Sequence, residues 1–142
     1  MATRPAARVW ILAGMAFLLY GGVAAWVNAD HGAAVALTAL GVQGMSSAFA
    51  TFWTSWLMDV VVARGLRLGW SPAAALAAGV LGGTSVAAAQ HLSVNLMAGT
   101  PALWATVALP MTAGLVYSAI YAGAAVRRER LGAHAAASAG SA

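Results

Sequence analysis

Four long apolar segments, separated by short polar connections, dominate the hydropathy pattern of the chain. They cover residues 9–27, 33–63, 73–97 and 102–126. Each is close to or longer than the ~20 residues with which a helix crosses the ~30 Å hydrocarbon layer of a bilayer. The pattern therefore predicts an all-α integral membrane protein with four transmembrane helices.

The composition agrees with lipid as the solvent of this chain. Hydrophobic residues make up 62% of the 142 positions and charged residues only 7%, whereas a soluble domain carries about a quarter charged residues. Cysteine is absent, which excludes disulfides and thiolate metal sites. We therefore expect the protein to lie in the lipid bilayer of a bacterial inner membrane.

Arginines mark the ends of the apolar segments. They lie before the first, between the second and third, and after the fourth: Arg4, Arg8, Arg64, Arg67, Arg127, Arg128 and Arg130. Basic residues stay on the cytoplasmic side of a membrane, so both termini are predicted to be cytoplasmic, and connections 28–32 and 98–101 external. The chain then forms two in-out-in hairpins. The arginines lack the interleaved aromatics of a nucleic-acid surface, so no nucleic acid is expected.

The two ends of the chain differ from its middle. Residues 1–8 form a short basic leader, and segment 9–27 is longer than the ~7–15 apolar residues of a signal peptide. An uncleaved first helix is therefore favoured over a signal peptide. Residues 127–142 begin basic and continue in Ala, Ser and Gly, which predicts a disordered cytoplasmic tail.

The two hairpins are candidate copies of one another. Sliding the second segment by 63 positions (118 − 55) matches Ser55 with Ser118 and Arg64 with Arg127. Alanine-rich helices also match by chance, so a parallel 2+2 duplication and two unrelated hairpins both stay open.

Small residues predict where helix backbones approach closely. The third segment has glycines at 79, 82 and 83, and the fourth has Gly114, Ser118 and Ala122 at spacing four. We expect contacts at these positions, within the chain or between chains.

A polar stripe follows one face of the third segment. Its positions are spaced by four, three and four residues: Thr84, Ala88, His91 and Asn95. An unpartnered polar side chain in hydrocarbon costs a few kcal/mol, so the stripe should face other helices or a wet cavity. With Gln43 and Gln90 at similar depth, these residues form a candidate polar pocket or proton-sensitive gate. The favoured alternative is a neutral His91 hydrogen-bonded between helices.

The second segment carries a row of hydrophilic side chains at spacings of four, four and three: Gln43, Ser47, Thr51 and Thr54. The row is a candidate hydrophilic path. The alternative, which we favour, is that the hydroxyls bond carbonyls of the preceding turn and hold helices together.

Asp59 is the one acidic residue inside an apolar segment. An ion pair with Arg8, Arg64 or Arg67 near the cytoplasmic face would fix the depth of the helix. The alternative is an ion-coupling carboxylate in a transport path.

Motifs of enzymes are missing from the sequence. It contains no HExxH, Walker or dinucleotide-binding pattern, and no second histidine within ligand spacing of His91. We expect no metal, no cofactor and no catalytic residue. The function expected is a self-associating transporter or channel-like protein with a polar path on the second and third helices. The alternative is a non-catalytic scaffold or an accessory subunit of a membrane complex, and an intramembrane enzyme comes third.

Overall fold

The computed structural model of the chain describes residues 7–97 and 103–139. Within these residues the elements are all helical: α1 (Ala7–Val27), a 3-10 turn (Ala29–His31), α2 (Ala33–Arg67), α3 (Pro72–Met97) and α4 (Leu103–Ala139). The predicted all-α class is confirmed. The turn predicted at 98–101 lies outside the described residues.

Three of the described helices are long and apolar enough to cross a membrane. The qualifying stretches are Ala7–Trp26, Ala33–Arg67 and Pro72–Val94. Large apolar side chains project from them, such as Leu18, Leu37 and Leu81, which are 72%, 67% and 68% exposed. This is consistent with a membrane location. Within the described residues, α4 does not join this set, so the predicted span 102–126 stays a prediction.

Two helices run beyond the ends that the hydropathy pattern predicts. Helix α2 ends at Arg67 rather than at Ala63, and α4 continues to Ala139, through the segment predicted to be a disordered tail. The apolar pattern marks where lipid would end, whereas helix propensity decides where the helix ends. Alanine and arginine favour helix, and no proline interrupts residues 127–139.

Helix α2 closes in a glycine-dependent turn. Gly69 has a φ of 82°, a left-handed conformation that glycine adopts without steric cost. Its N–H donates to the carbonyl of Leu66 at 3.1 Å, and the N–H of Trp70 donates to the carbonyl of Gly65 at 3.0 Å. This pair of bonds is a Schellman motif, which reverses the chain after α2.

Helix α3 begins directly after this reversal. The backbone N–H of Ala74 donates to Ser71 Oγ at 3.2 Å, so Ser71 caps the helix. Pro72 is the first helical residue, a position at which its missing N–H has no partner to lose.

The chain divides into two compact units after Trp56. In the first unit, α1 packs antiparallel to the early part of α2. The rings of Trp10 and Phe52 are 4.5 Å apart, and a Cβ built on Gly21 would lie 2.8 Å from the carbonyl oxygen of Leu40. The glycine therefore allows the two backbones to touch.

In the second unit, α3 packs antiparallel to α4. A Cβ on Gly79 would lie 3.1 Å from Ala122 Cβ, and one on Gly83 would lie 2.9 Å from Ser118 Oγ. Ser118 and Ala122 are fully buried. The predicted close approach at these small residues is confirmed, and it occurs within the chain.

The end of α2 lies against α3 at the same glycines. A Cβ on Gly83 would lie 2.9 Å from Met58 Sδ, and one on Gly79 would lie 3.0 Å from Val62 Cγ2. Met58 and Val62 are also fully buried. Side chains of α2 and α4 therefore fill the space beside Gly79 and Gly83.

Candidate functional site

A cluster of three polar side chains links α2 to α4 in the second unit. The hydroxyl of Tyr121 donates to Asp59 Oδ2 at 3.0 Å. Arg128 Nη2 donates to Asp59 Oδ1 at 2.8 Å, and its guanidinium carbon lies 5.4 Å from the centre of the Tyr121 ring. Each carboxylate oxygen of Asp59 thus has a donor from α4.

Helical spacing and small residues position this cluster. Tyr121 and Arg128 are two turns apart, so they share one face of α4. Ala122 beside Gly79 brings that part of α4 close to α3. The side chain of Asp59 is 19% exposed and that of Arg128 is 37% exposed. Partial exposure screens the ion pair, so its strength lies nearer to that of a surface pair than to a buried one.

The sequence predicts an ion pair for Asp59, but it does not predict Tyr121 or Arg128 as its partners. The cations predicted for it are Arg8, Arg64 and Arg67, and those pairs stay predictions. In the structure Arg67 Nε donates to the carbonyl of Ala63 on its own helix, at 3.1 Å. Arg8 also has an interaction partner.

A usable signal for Arg128 was present in the sequence. The predicted topology brings the ends of the second and fourth helices to the same side of the membrane. The arginines after residue 126 were therefore as reasonable candidates for an ion pair with Asp59 as Arg64 and Arg67.

The hydrophilic row of α2 differs along its length. Gln43 is exposed, and its Nε2 lies 3.5 Å from Ser47 Oγ, which accepts its hydrogen bond. Ser47 and Thr51 are half-buried, whereas Thr54 is buried and donates to the carbonyl of Ala50 at 2.5 Å. The hydroxyl at the Thr54 end of the row is thus hydrogen-bonded within its own helix, whereas the amide at the Gln43 end is exposed.

The polar stripe of α3 is half-buried rather than central. Thr84 Oγ1 is buried and has no hydrogen-bond partner in the described part of the chain. Gln90 and His91 are half-buried, and neither is without a partner. The side chain of Asn95 lies outside the described residues. The predicted polar pocket, in which these side chains would lie close to Gln43, stays a prediction.

Small residues, not polar ones, occupy the most buried line of α3. That line has spacing four and comprises Ala75, Gly79, Gly83 and Ala87. Thr84 follows Gly83 by one residue, which rotates it about 100° around the helix. The polar stripe therefore borders the helix contact without forming its centre.

The fold and these sites describe an all-helical chain with three helices suited to a membrane. Among the residues that the structure describes, no group of three His, Asp or Glu side chains is placed to hold a metal ion. Comparisons with protein-family models, curated proteins and solved structures gave no match.

Proposed function

We propose that the chain is an integral inner-membrane protein that crosses the bilayer four times, with both termini in the cytoplasm. The arginine distribution supports this orientation. The exposed apolar side chains of the three membrane-suited helices support insertion, since such surfaces on a soluble monomer rarely exceed a few hundred Å².

We further propose that the hairpins are two copies of one ancestral hairpin. Two pairs of residues matched by the offset of 63 are buried alike. Ser55 and Ser118 are both 0% exposed, and Val62 and Ala125 are 0% and 2% exposed. Asp59 matches Ala122, so the acidic side chain would be a specialisation of one copy.

We infer that the protein self-associates, and the observation that carries this is the exposed amide of Gln43. Val42, the residue before it on the helix, is large, apolar and exposed, so Gln43 would lie beside a lipid-facing surface in a single chain. An amide there costs a few kcal/mol unless it is hydrogen-bonded, and its bond to Ser47 at 3.5 Å is long. A second copy supplying a partner would remove most of this cost.

We propose that the assembled protein is a small transporter or channel-like protein. The row from Gln43 through Ser47 to Thr51 would line a path where copies meet. The polar stripe of α3, which includes Thr84, His91 and Asn95, would add hydrophilic groups, and so would Gln90 at a similar depth. Met58 and Ser118 fill the space beside Gly83, so the path would not run through this helix contact.

Flux measurements in liposomes test this proposal. A trapped pH dye reports proton flux, and light scattering reports urea permeation. Gln43→Leu is expected to bring the active flux close to that of protein-free liposomes, because it removes the amide while keeping the volume. Val42→Leu is the matched control at the adjacent exposed position and should keep the flux. Equal flux in wild type, Gln43→Leu and protein-free liposomes would contradict the transport proposal.

The close packing beside Gly83 favours a second candidate function, a non-catalytic scaffold or accessory subunit. A filled helix contact suits a rigid platform better than a gate. In that case Gln43→Leu would lower the oligomer fraction or the recovery of a membrane partner, and no variant would change flux.

A further inference from the structure

A shallow depression of about 300 Å³ lies on one face of α4. Its lining residues are Gly123, Val126, Arg127, Arg130, Leu131 and His134. A Cβ built on Gly123 would have nothing within 4 Å, so the missing side chain leaves the space open. The depression exists because α4 continues as a helix through the basic segment.

The positive charge of this face is not neutralised by the described part of the chain. Arg127 and Arg130 are exposed, and no hydrogen bond or ion pair of their side chains occurs within it. Arg128, which lies between them in sequence, is directed to Asp59. Glu129 is two residues from Arg127, about 200° around the helix, so it lies away from this face.

An exposed apolar strip leads to the basic depression. Val116 and Ile120 precede Gly123 and Arg127 at spacings of four, three and four, so all four share one helix face. Val116 is 54% exposed and Ile120 is 70% exposed. The face therefore combines an apolar part with two guanidinium groups at its end.

We propose that this face binds one anionic phospholipid, with its headgroup phosphate held by Arg127 and Arg130. Guanidinium groups bind phosphate oxygens by paired, charge-assisted hydrogen bonds. An acyl chain would lie along Val116 and Ile120, and basic sites of this kind at the cytoplasmic end of membrane helices suit anionic headgroups. The proposal rests on the membrane insertion proposed above, and it adds a specific lipid.

The test uses the full chain in a neutral detergent, titrated separately with phosphatidylglycerol, phosphatidylcholine and inorganic phosphate. Lipid retention is measured by native mass spectrometry, and the melting temperature by tryptophan fluorescence. Phosphatidylglycerol should be retained and should raise the melting temperature. The double variant Arg127→Gln/Arg130→Gln should lose both effects. Arg64→Gln/Arg67→Gln is the matched control, because it removes the same charge from the same predicted membrane side, and it should keep them.

A second variant keeps the test decisive if the double variant does not fold. Gly123→Leu fills the depression without changing any charge, and it should reduce retention of phosphatidylglycerol. Retention that is equal in all variants would overturn the proposal. Equal effects of phosphatidylcholine or of inorganic phosphate would also overturn it, since they would show that the anionic lipid is not recognised. The assay does not measure flux, so its outcome is independent of the liposome experiment.

Discussion

Asp59 accepts a hydrogen bond on each carboxylate oxygen, one from Tyr121 and one from Arg128. A carboxylate near the end of an apolar helix needs such partners, because an unpaired charge removed from water costs several kcal/mol. Both partners come from α4. The cluster therefore ties the end of α2 to the part of α4 where the apolar segment meets the basic one.

We expect Tyr121→Phe to lower the free energy of unfolding by about 1.5 kcal/mol, because it deletes one hydrogen bond to a charged acceptor and keeps the ring. Thermal unfolding in detergent measures this change. Tyr20→Phe is the control, since Tyr20 is 45% exposed in the first unit and its hydroxyl makes no bond within the described residues. An equal loss in both variants would contradict the role of the Tyr121 hydroxyl.

At Thr84 we expect a substitution to raise the free energy of unfolding rather than to lower it. Its Oγ1 is buried without a partner in the described part of the chain, so Thr84→Val replaces an unsatisfied hydroxyl by a methyl group of similar size. The free energy of unfolding should rise, by up to about 1 kcal/mol. Thr54→Val should instead lose stability, because Thr54 Oγ1 donates to the carbonyl of Ala50. A loss at Thr84 as large as at Thr54 would mean that the hydroxyl has a partner.

At the scale of the helix, glycine positions decide how closely the elements pack. We expect Gly83→Ala to lower the free energy of unfolding by about 1–3 kcal/mol, because the new methyl group would overpack the contact. It would lie 2.9 Å from both Met58 Sδ and Ser118 Oγ. Gly82→Ala is the matched control, since its nearest neighbour would be Leu57 Cδ2 at 3.7 Å.

Both substitutions gain the same helix propensity, of roughly 1 kcal/mol, so the difference between them isolates packing. Thermal unfolding of the two variants side by side measures it. Similar melting temperatures would show that α3 does not pack at Gly83 in this way.

The first unit offers the equivalent experiment at Gly21 and Gly22. A methyl group on Gly21 would lie 2.8 Å from the backbone oxygen of Leu40, whereas one on Gly22 would have nothing within 4 Å. Backbone cannot move aside as a side chain can. Gly21→Ala should therefore destabilise the protein in thermal unfolding, and Gly22→Ala should not. The reverse order would contradict the antiparallel contact of α1 and α2.

The sequence is a good guide to the helices and a poor one to their ends. Continuous apolar runs located α1, α2 and α3 to within a few residues, because a helix that contacts lipid or other helices requires apolar side chains. The end of α4 was missed, because nothing in the apolar pattern extends beyond Val126 while alanine keeps the helix intact to Ala139.

Contacts between distant residues were harder to predict than elements. Asp59 and Arg128 are 69 positions apart, and helical spacing fixes faces within one helix but not the rotation of one helix against another. The polar stripe of α3 illustrates this limit. Its spacing was evident, yet the glycine line beside it takes the tightest contact, because only small residues let backbones approach.

For the whole molecule, the proposed membrane insertion and self-association would together account for features that one chain in water leaves unexplained. In the proposed membrane-embedded oligomer, hydrocarbon would surround the exposed leucines of the three membrane-suited helices, and a second copy would supply a partner for the amide of Gln43. Arg127 and Arg130 would then be directed at anionic headgroups.

The proposed function depends on the four-span topology, and the absence of cysteine from the chain allows this topology to be measured directly. Single cysteines at three exposed positions, Ala29→Cys, Leu68→Cys and Ala135→Cys, are treated with a membrane-impermeant maleimide on intact spheroplasts and again after permeabilisation. We expect labelling of position 29 from outside, and labelling of positions 68 and 135 only after permeabilisation. Labelling of positions 29 and 135 from outside, with position 68 protected, would mean that α4 does not cross the membrane, and would contradict the four-span topology.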